Sequence, residues 1–307
     1  MKEEVYNRFK EYSGSHCWQY EVRKQHFWDD IESLNFSSSM VASFRPRDFE
    51  VRHVPKDDKL NCDVVKEFIE KYEWLGKMPA RPTHRFTATF GSLIAGAIVM
   101  ATPNTFSNLL GKESRDMEKL ISRGACSAWA PKGLNSKLVM ASVRWMAKNT
   151  DFRIFTAYSD PEAKELGTIY QACNFYYLGQ TSGTSKQYFD PERPERGWFS
   201  DRNFRHKSKY YMYADNIGVG REQFKKWMKK YSPDWTLVPE QVKLDIKKEE
   251  KRYRQSCLVR ERSETKPKHK YAYILGSTKS ETKQLRRRFE ELNPHLANLP
   301  YPKERGA

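Results

Sequence analysis

A chain of 307 residues with 38% hydrophobic and 14% aromatic residues has the material for one core domain and an appendage, which excludes a wholly disordered polymer. Its formal net charge of +16 points to an acidic partner, while Cys17, Cys62, Cys126, Cys173 and Cys257, scattered and without a C-x-x-C pair, give neither a disulfide framework nor a zinc pattern. The longest apolar run, Leu93 to Ala101, is too short to cross a bilayer, and the opening MKEEVYNRFKEY lacks the apolar stretch of a secretion signal, so a cytosolic protein with reduced thiols is expected.

Residues 1–46 are rich in aromatics (Trp18, Tyr20, Phe27, Trp28), end in Ser37 to Ser39, and read as a helical lead that packs on the main domain. Asp48 to Val54 alternates like a first strand, and Val64, Val65, Phe68, Ile69 and Tyr72 fall on one face of a helix. His84 to Phe90 and Leu93 to Met100, split by Gly91-Ser92, predict a hairpin, followed by a central strand over Leu120 to Trp129. Asn135-Ser136 are good N-cap residues for a helix carrying Val139, Val143 and Met146 on one face. From Phe152 to Gly179 the pattern is strand, polar loop, helix, strand: Ile154, Phe155 and Thr156 give way to Ser159-Asp160-Pro161, helical spacing holds for Leu166, Ile169, Ala172 and Cys173, and a strand resumes over Phe175 to Leu178. Alternation of this kind predicts a mixed α/β sheet over residues 47–215. Residues 216–307 are expected to form a basic, mainly helical extension, with helices over Gly220 to Tyr231 and Glu281 to Leu292 and a short strand over Tyr271 to Leu275.

The charge is uneven. Residues 205–307 hold 26 Lys and Arg against 13 Asp and Glu, a net of +13, which leaves +3 for residues 1–204. Cations interleaved with aromatics suit nucleic acid, because cations neutralise phosphates and rings stack on exposed bases. Nucleic-acid contact is therefore expected at Lys225, Lys226, Trp227, Lys229, Lys230, Arg286, Arg287 and Arg288. A solvated face is the competing reading, and Lys247 to Arg254 with its glutamates fits it well.

Open α/β sheets place ligands at the carboxyl ends of strands, where this chain presents Tyr158, Ser159 and Asp160. Asp160 in that place can take or orient a proton, although Ser-Asp-Pro is also good material for an Asx turn. The seven histidines show no i, i+4 pairing, so no metal is predicted from spacing.

Tyr170-Gln-Ala-Cys-Asn174-Phe175 resembles the Tyr-x-x-x-Gly-Phe ending of the GNAT acyltransferase fold, with Asn174 where glycine is usual. Tyr158-Ser-Asp160-Pro161 with Gly167-Thr-Ile-Tyr170 is closer to the phage Mom DNA-modification proteins, a divergent branch of that fold. Trp74-Leu-Gly76-Lys-Met-Pro79, Ile121-Ser-Arg123 leading to Asn135-Ser136, and Pro300-Tyr-Pro-Lys303 fit the same branch in the same order. The resemblance implies a GNAT-like mixed central sheet flanked by helices, and a phage-type enzyme of the host cytoplasm whose modified DNA evades restriction. Its reaction would place an acyl-derived, carbamoylmethyl-like group on an exocyclic amine of a DNA base, adenine by precedent. It implies an acyl-coenzyme A or related acyl donor held by Lys132, Gly133, Leu134, Asn135 and Ser136 with Arg123, although of the usual phosphate-loop pattern only Gly133 is kept. Tyr170 takes the general-acid role in that comparison, with Asp160, Tyr158 and Ser136 as its catalytic companions. Glu73 stands where Mom-like proteins more often show a histidine, a possible ligand position for a cation. The paired base must be flipped out or met on an exposed strand, and Trp129, Tyr158 and Trp198 are candidates to stack on it. Two other readings fit the sequence: an N-acetyltransferase acting on another amine, such as a hypermodified pyrimidine, and a non-catalytic DNA-binding protein of the same fold.

Overall fold

The structure, a computed structural model, describes residues 9, 13–181, 185–229, 232–262 and 267–303. Strand β1 (Glu50–Val54) pairs antiparallel with β2 (Pro82–Phe90), and β2 forms the expected hairpin with β3 (Leu93–Ala101). β3 pairs with β4 (Glu118–Cys126), which runs parallel to β5 (Ile154–Ser159). After β6 (Tyr176–Gln180) the chain leaves this sheet for a second one, ordered β8 (Phe199–Ser200), β7 (Ser185–Phe189), β9 (Leu258–Arg262). It then returns as β10 (His269–Ile274), which lies between β5 and β6 and is antiparallel to both. The main sheet is thus mixed and seven-stranded, with order β1-β2-β3-β4-β5-β10-β6.

Two helices cover opposite faces of it. Lys59–Tyr72 buries Val65, Phe68 and Ile69 with Ala97 and Val99 of β3, whereas Leu134–Asn149 buries Leu138, Val143 and Met146 in a cluster with Ile98 and Met100. Consecutive strand residues point to opposite faces, so the alternation along β3 fixes one helix to each side. Each large apolar side chain buried this way contributes about 1.5–3 kcal/mol. The second helix starts two residues earlier than an Asn135 cap predicts: Gly133, at φ +90°, is its N-cap.

The lead segment forms helices Trp18–Gln25, Phe27–Ser33 and Ser38–Ser43. It is fixed to Lys59–Tyr72 by polar contacts: Gln19 Nε2 donates to Tyr72 O (2.5 Å), and the Asp30 carboxylate accepts from Tyr72 Oη (2.7 Å) and Lys71 Nζ (2.8 Å).

The chain divides elsewhere than at residue 215. One compact unit ends at Thr181 and resumes at Pro267; the other is Ser182–Lys266. The expected extension over 216–307 is therefore two things. Its last part belongs to the main sheet, because Tyr271, Ala272 and Ile274 of β10 and Phe289 of helix Lys279–Leu292 are fully buried there. The middle part has its own core of Phe204, Tyr210, Tyr213, Phe224, Ile246 and Tyr253, built on helices Lys207–Asn216, Arg221–Lys225 and Glu240–Ser256. The helix expected over Gly220 to Tyr231 is thus a single short turn, and Lys230 and Tyr231 lie outside the described residues.

Candidate active site

At the end of β5 the backbone turns through Pro161–Ala163, with Asp160 as the N-cap whose side chain accepts from Glu162 N at 3.2 Å. Asp160 Oδ2 also lies 2.6 Å from Lys268 Nζ, and Asp160 is only 4% exposed. Glu165 Oε2 accepts from Asp160 N at 3.2 Å. Glu73, the C-cap of helix Lys59–Tyr72, is buried, with its Oε2 at 3.8 Å from Arg123 Nε. Burial pushes the Glu73 carboxyl up to about 7 against the pull of Arg123, two backbone amides and Lys268. Burial likewise pushes Glu165 up to about 7; the Asp160 amide and Lys268 lower it, while Glu73 and Asp160 raise it further. Glu73 and Glu165 therefore share one electrostatic group with Asp160, Arg123 and Lys268, in which these two carboxyls titrate near neutral pH. Sequence reasoning missed Glu165 and Lys268. Lys268 reaches the cluster because it directly precedes β10, and a pairing across more than a hundred residues of chain leaves no local signal.

Tyr170 belongs to the same group. Its helix, Thr168–Ala172, starts at Gly167 in the left-handed conformation, and its ring packs at 5.3 Å from Phe175 and 5.4 Å from Tyr271. Burial, then Glu165, Cys173, Glu73 and Tyr271, push the phenol well above its ordinary value, so Tyr170 stays protonated and keeps a proton to donate. Its hydroxyl makes no hydrogen bond among the described residues, which leaves that proton for a ligand. Asn174, in place of the usual glycine, sits at φ +57°, a conformation asparagine tolerates better than most residues.

Cys173 Sγ, 3.8 Å from Ser136 O, links this helix to the start of Leu134–Asn149. That start has no side-chain cap and no acidic residue in its first turn, so its amides and Lys132, which is exposed, face an anion unopposed. Leu134 has nothing to offer there, because its amide donates to Pro131 O at 3.1 Å and its side chain is fully buried in the core. Asn135 and Ser136 are half-buried. Arg123 Nε lies 3.8 Å from Glu73 and donates to Lys77 O at 2.8 Å. Tyr158 is also placed apart, since it points to the face of β5 opposite Phe155 and Ala157, the residues in whose cluster Tyr170 packs. Trp129 is buried among Phe36, Phe44 and Phe49 and has no face to offer a base, and Trp198 lies in the second unit.

The expected nucleic-acid residues are divided as well. Arg286 donates to Ile274 O at 3.1 Å, Arg287 pairs with Glu291 at 2.9 Å, and Arg288 pairs with Glu113, all in the sheet unit. In the second unit Lys225 pairs with Glu222 at 2.5 Å and Lys229 with Asp234 at 3.0 Å, Lys226 is exposed, and Trp227 is half-buried with its ring 5.8 Å from Phe224. Among the described residues no three His, Cys, Asp or Glu side chains are spaced to hold a metal ion. No described helix is long and apolar enough to cross a membrane.

The chain belongs to the Mom protein family, whose profile matches residues 49–232 and so spans Glu73, Asp160 and Tyr170. No curated protein matches it. Among solved structures it is similar to the ribosomal-protein-S5-alanine acetyltransferase of Vibrio fischeri (13% identity, TM-score 0.32, covering 46% of this chain and 85% of that one). It is also similar to yncA of Salmonella typhimurium, solved with its cofactor acetyl-CoA (11% identity, TM-score 0.31, covering 43% of this chain and 82% of that one).

Proposed function

We propose that this protein is a DNA base-modifying transferase that places an acyl-derived group on an exocyclic amine of a base, adenine foremost. Membership of the Mom protein family across residues 49–232 is the observation that carries this reading. An acyl-coenzyme A fits the start of helix Leu134–Asn149 through its phosphates, because the amides there and Lys132 are not neutralised by any first-turn acid. When bound, such a donor supplies a carbonyl carbon activated by its thioester. Tyr170, kept protonated, gives its proton to the departing sulfur as the C–S bond breaks. The amine forms the new bond to that carbon and loses a proton to the carboxylate cluster. Asp160, paired with Lys268, orients the amine, and Glu165 and Glu73, titrating near neutrality, are matched to accept its proton.

Mass analysis of nucleosides from DNA of cells expressing the protein tests this directly. A mass-shifted deoxyadenosine is expected. A shifted pyrimidine would move the target to another amine, and unmodified DNA beside a folded protein would leave a binding role without chemistry.

A further inference from the structure

The small sheet of the second unit has two unlike faces. Tyr188 and Phe199 face its core, whereas the alternate residues Gln187 and Phe189 of β7 and Leu258 and Arg260 of β9 face outward, in register as Gln187↔Arg260 and Phe189↔Leu258. Trp198, just before β8, lies on that outer face: its ring is 5.4 Å from Phe189, and the Arg260 guanidinium carbon is 4.1 Å from its centroid. Arg260 is held in place by Gln187 Oε1, which accepts from its Nε at 3.1 Å and its Nη2 at 3.0 Å. Among the described residues no carboxylate pairs with it; the adjacent Glu261 pairs with Lys186 at 3.3 Å. Trp198 is 37% exposed and Leu258 56%, so the largest apolar surfaces here are turned to solvent beside a fixed, unneutralised cation. A plain solvated sheet face would carry polar residues at these positions.

We propose that this face is a stacking platform for an unpaired base of single-stranded DNA, with Trp198 and Arg260 as the stack and Arg260 also meeting the adjoining phosphate. Rings and guanidinium planes stack on any base with an open face, which a duplex does not present. The charge agrees: residues 182–266 carry 21 Lys and Arg against 13 Asp and Glu. The inference rests on the reading of the protein as acting on DNA, and gives bases left unpaired by extrusion a surface to stack on.

The test measures binding of the full chain to a fluorescent twenty-nucleotide oligothymidine and to a twenty-base-pair duplex, with Trp198→Ala, Trp198→Phe and Arg260→Ala, each checked by circular dichroism. Trp198→Ala is expected to weaken single-strand binding about five- to a hundredfold, Trp198→Phe less, and both to change duplex binding less than twofold. Arg260→Ala should lower the logarithmic salt slope on the single strand by about 0.7. If the wild type binds the single strand and folded Trp198→Ala and Arg260→Ala bind it equally well, the platform is wrong while the DNA reading stands. Binding of neither oligonucleotide by the wild type overturns both. Competition by polyglutamate that depends on Trp198, without single-strand binding, would assign the face to an acidic peptide and overturn the proposal.

Discussion

Asp160 and Tyr170 differ in what their loss should do, because one is bound into the protein and the other is not. Asp160→Asn breaks the pair with Lys268, whose side chain is 40% exposed and can be rehydrated, so stability should fall by only about 1–2 kcal/mol. Tyr170→Phe removes a hydroxyl without a described partner and should leave stability nearly unchanged. Both should lower the yield of modified base about a hundredfold or more, read by nucleoside mass analysis beside urea unfolding. Unchanged yield in both would remove them from the mechanism. Glu165 gives a pH prediction at the same scale. Its carboxyl is raised from 4.5 to about 7, so between those values the folded state binds the proton more tightly than the unfolded chain. That contribution to stability is fully present below about 4.5 and is lost as pH rises through 7. Glu165→Gln, which keeps an acceptor for Asp160 N, should therefore raise stability over the wild type by about 1–3 kcal/mol at pH 8, with the gap closing towards pH 4.5. An equal effect at both pH values in urea titrations would show that Glu165 is not held protonated.

Gly167 governs the element that carries Tyr170. It sits at φ +67°, and a Cβ there would lie within 2.4 Å of the Tyr271 ring, itself fully buried with its hydroxyl donating to Leu166 O at 2.5 Å. Neither the backbone nor that ring can give way cheaply, so Gly167→Ala should cost about 2 kcal/mol or more and displace Tyr170, lowering activity beyond the stability loss. Normal activity and melting in this variant would mean the turn is softer than its geometry requires. The elements around this turn were legible in the sequence because their signals are local: the Gly91-Ser92 hairpin, the apolar stripe ending at Tyr72, and the break at Ser159-Asp160-Pro161 all stand in the structure. Tyr271 was legible as a strand residue but not as the strand's place between β5 and β6, since long-range pairing is decided by burial of both faces rather than by neighbours in sequence. The same gap hid Lys268 from the site and made the basic tail read as one piece.

At the scale of the whole molecule, the unit 182–266 is an insertion between two strands of one sheet, and its ends are clasped: Thr181 N donates to Lys268 O at 2.8 Å, and Lys268 N to Thr181 Oγ1 at 3.0 Å. Ends this close can be rejoined with little loop-closure cost. Replacing 182–266 by a short Gly-Ser linker between Thr181 and Pro267 should therefore leave a cooperatively folding sheet unit, whereas ending the chain at residue 204 removes β10 with its buried Tyr271, Ala272 and Ile274 and should abolish folding. Circular dichroism with thermal unfolding distinguishes the two. The insertion carries a net +8 of the chain's +16, so the linker variant should bind duplex DNA more weakly, with a logarithmic salt slope reduced by about 0.9 for each phosphate that is no longer neutralised. Arg286, Arg287 and Arg288 remain in that variant, already engaged with Ile274 O, Glu291 and Glu113. If it folds and keeps the full affinity and slope, the phosphates are met by the sheet unit, and the inserted unit's charge is a solvated face.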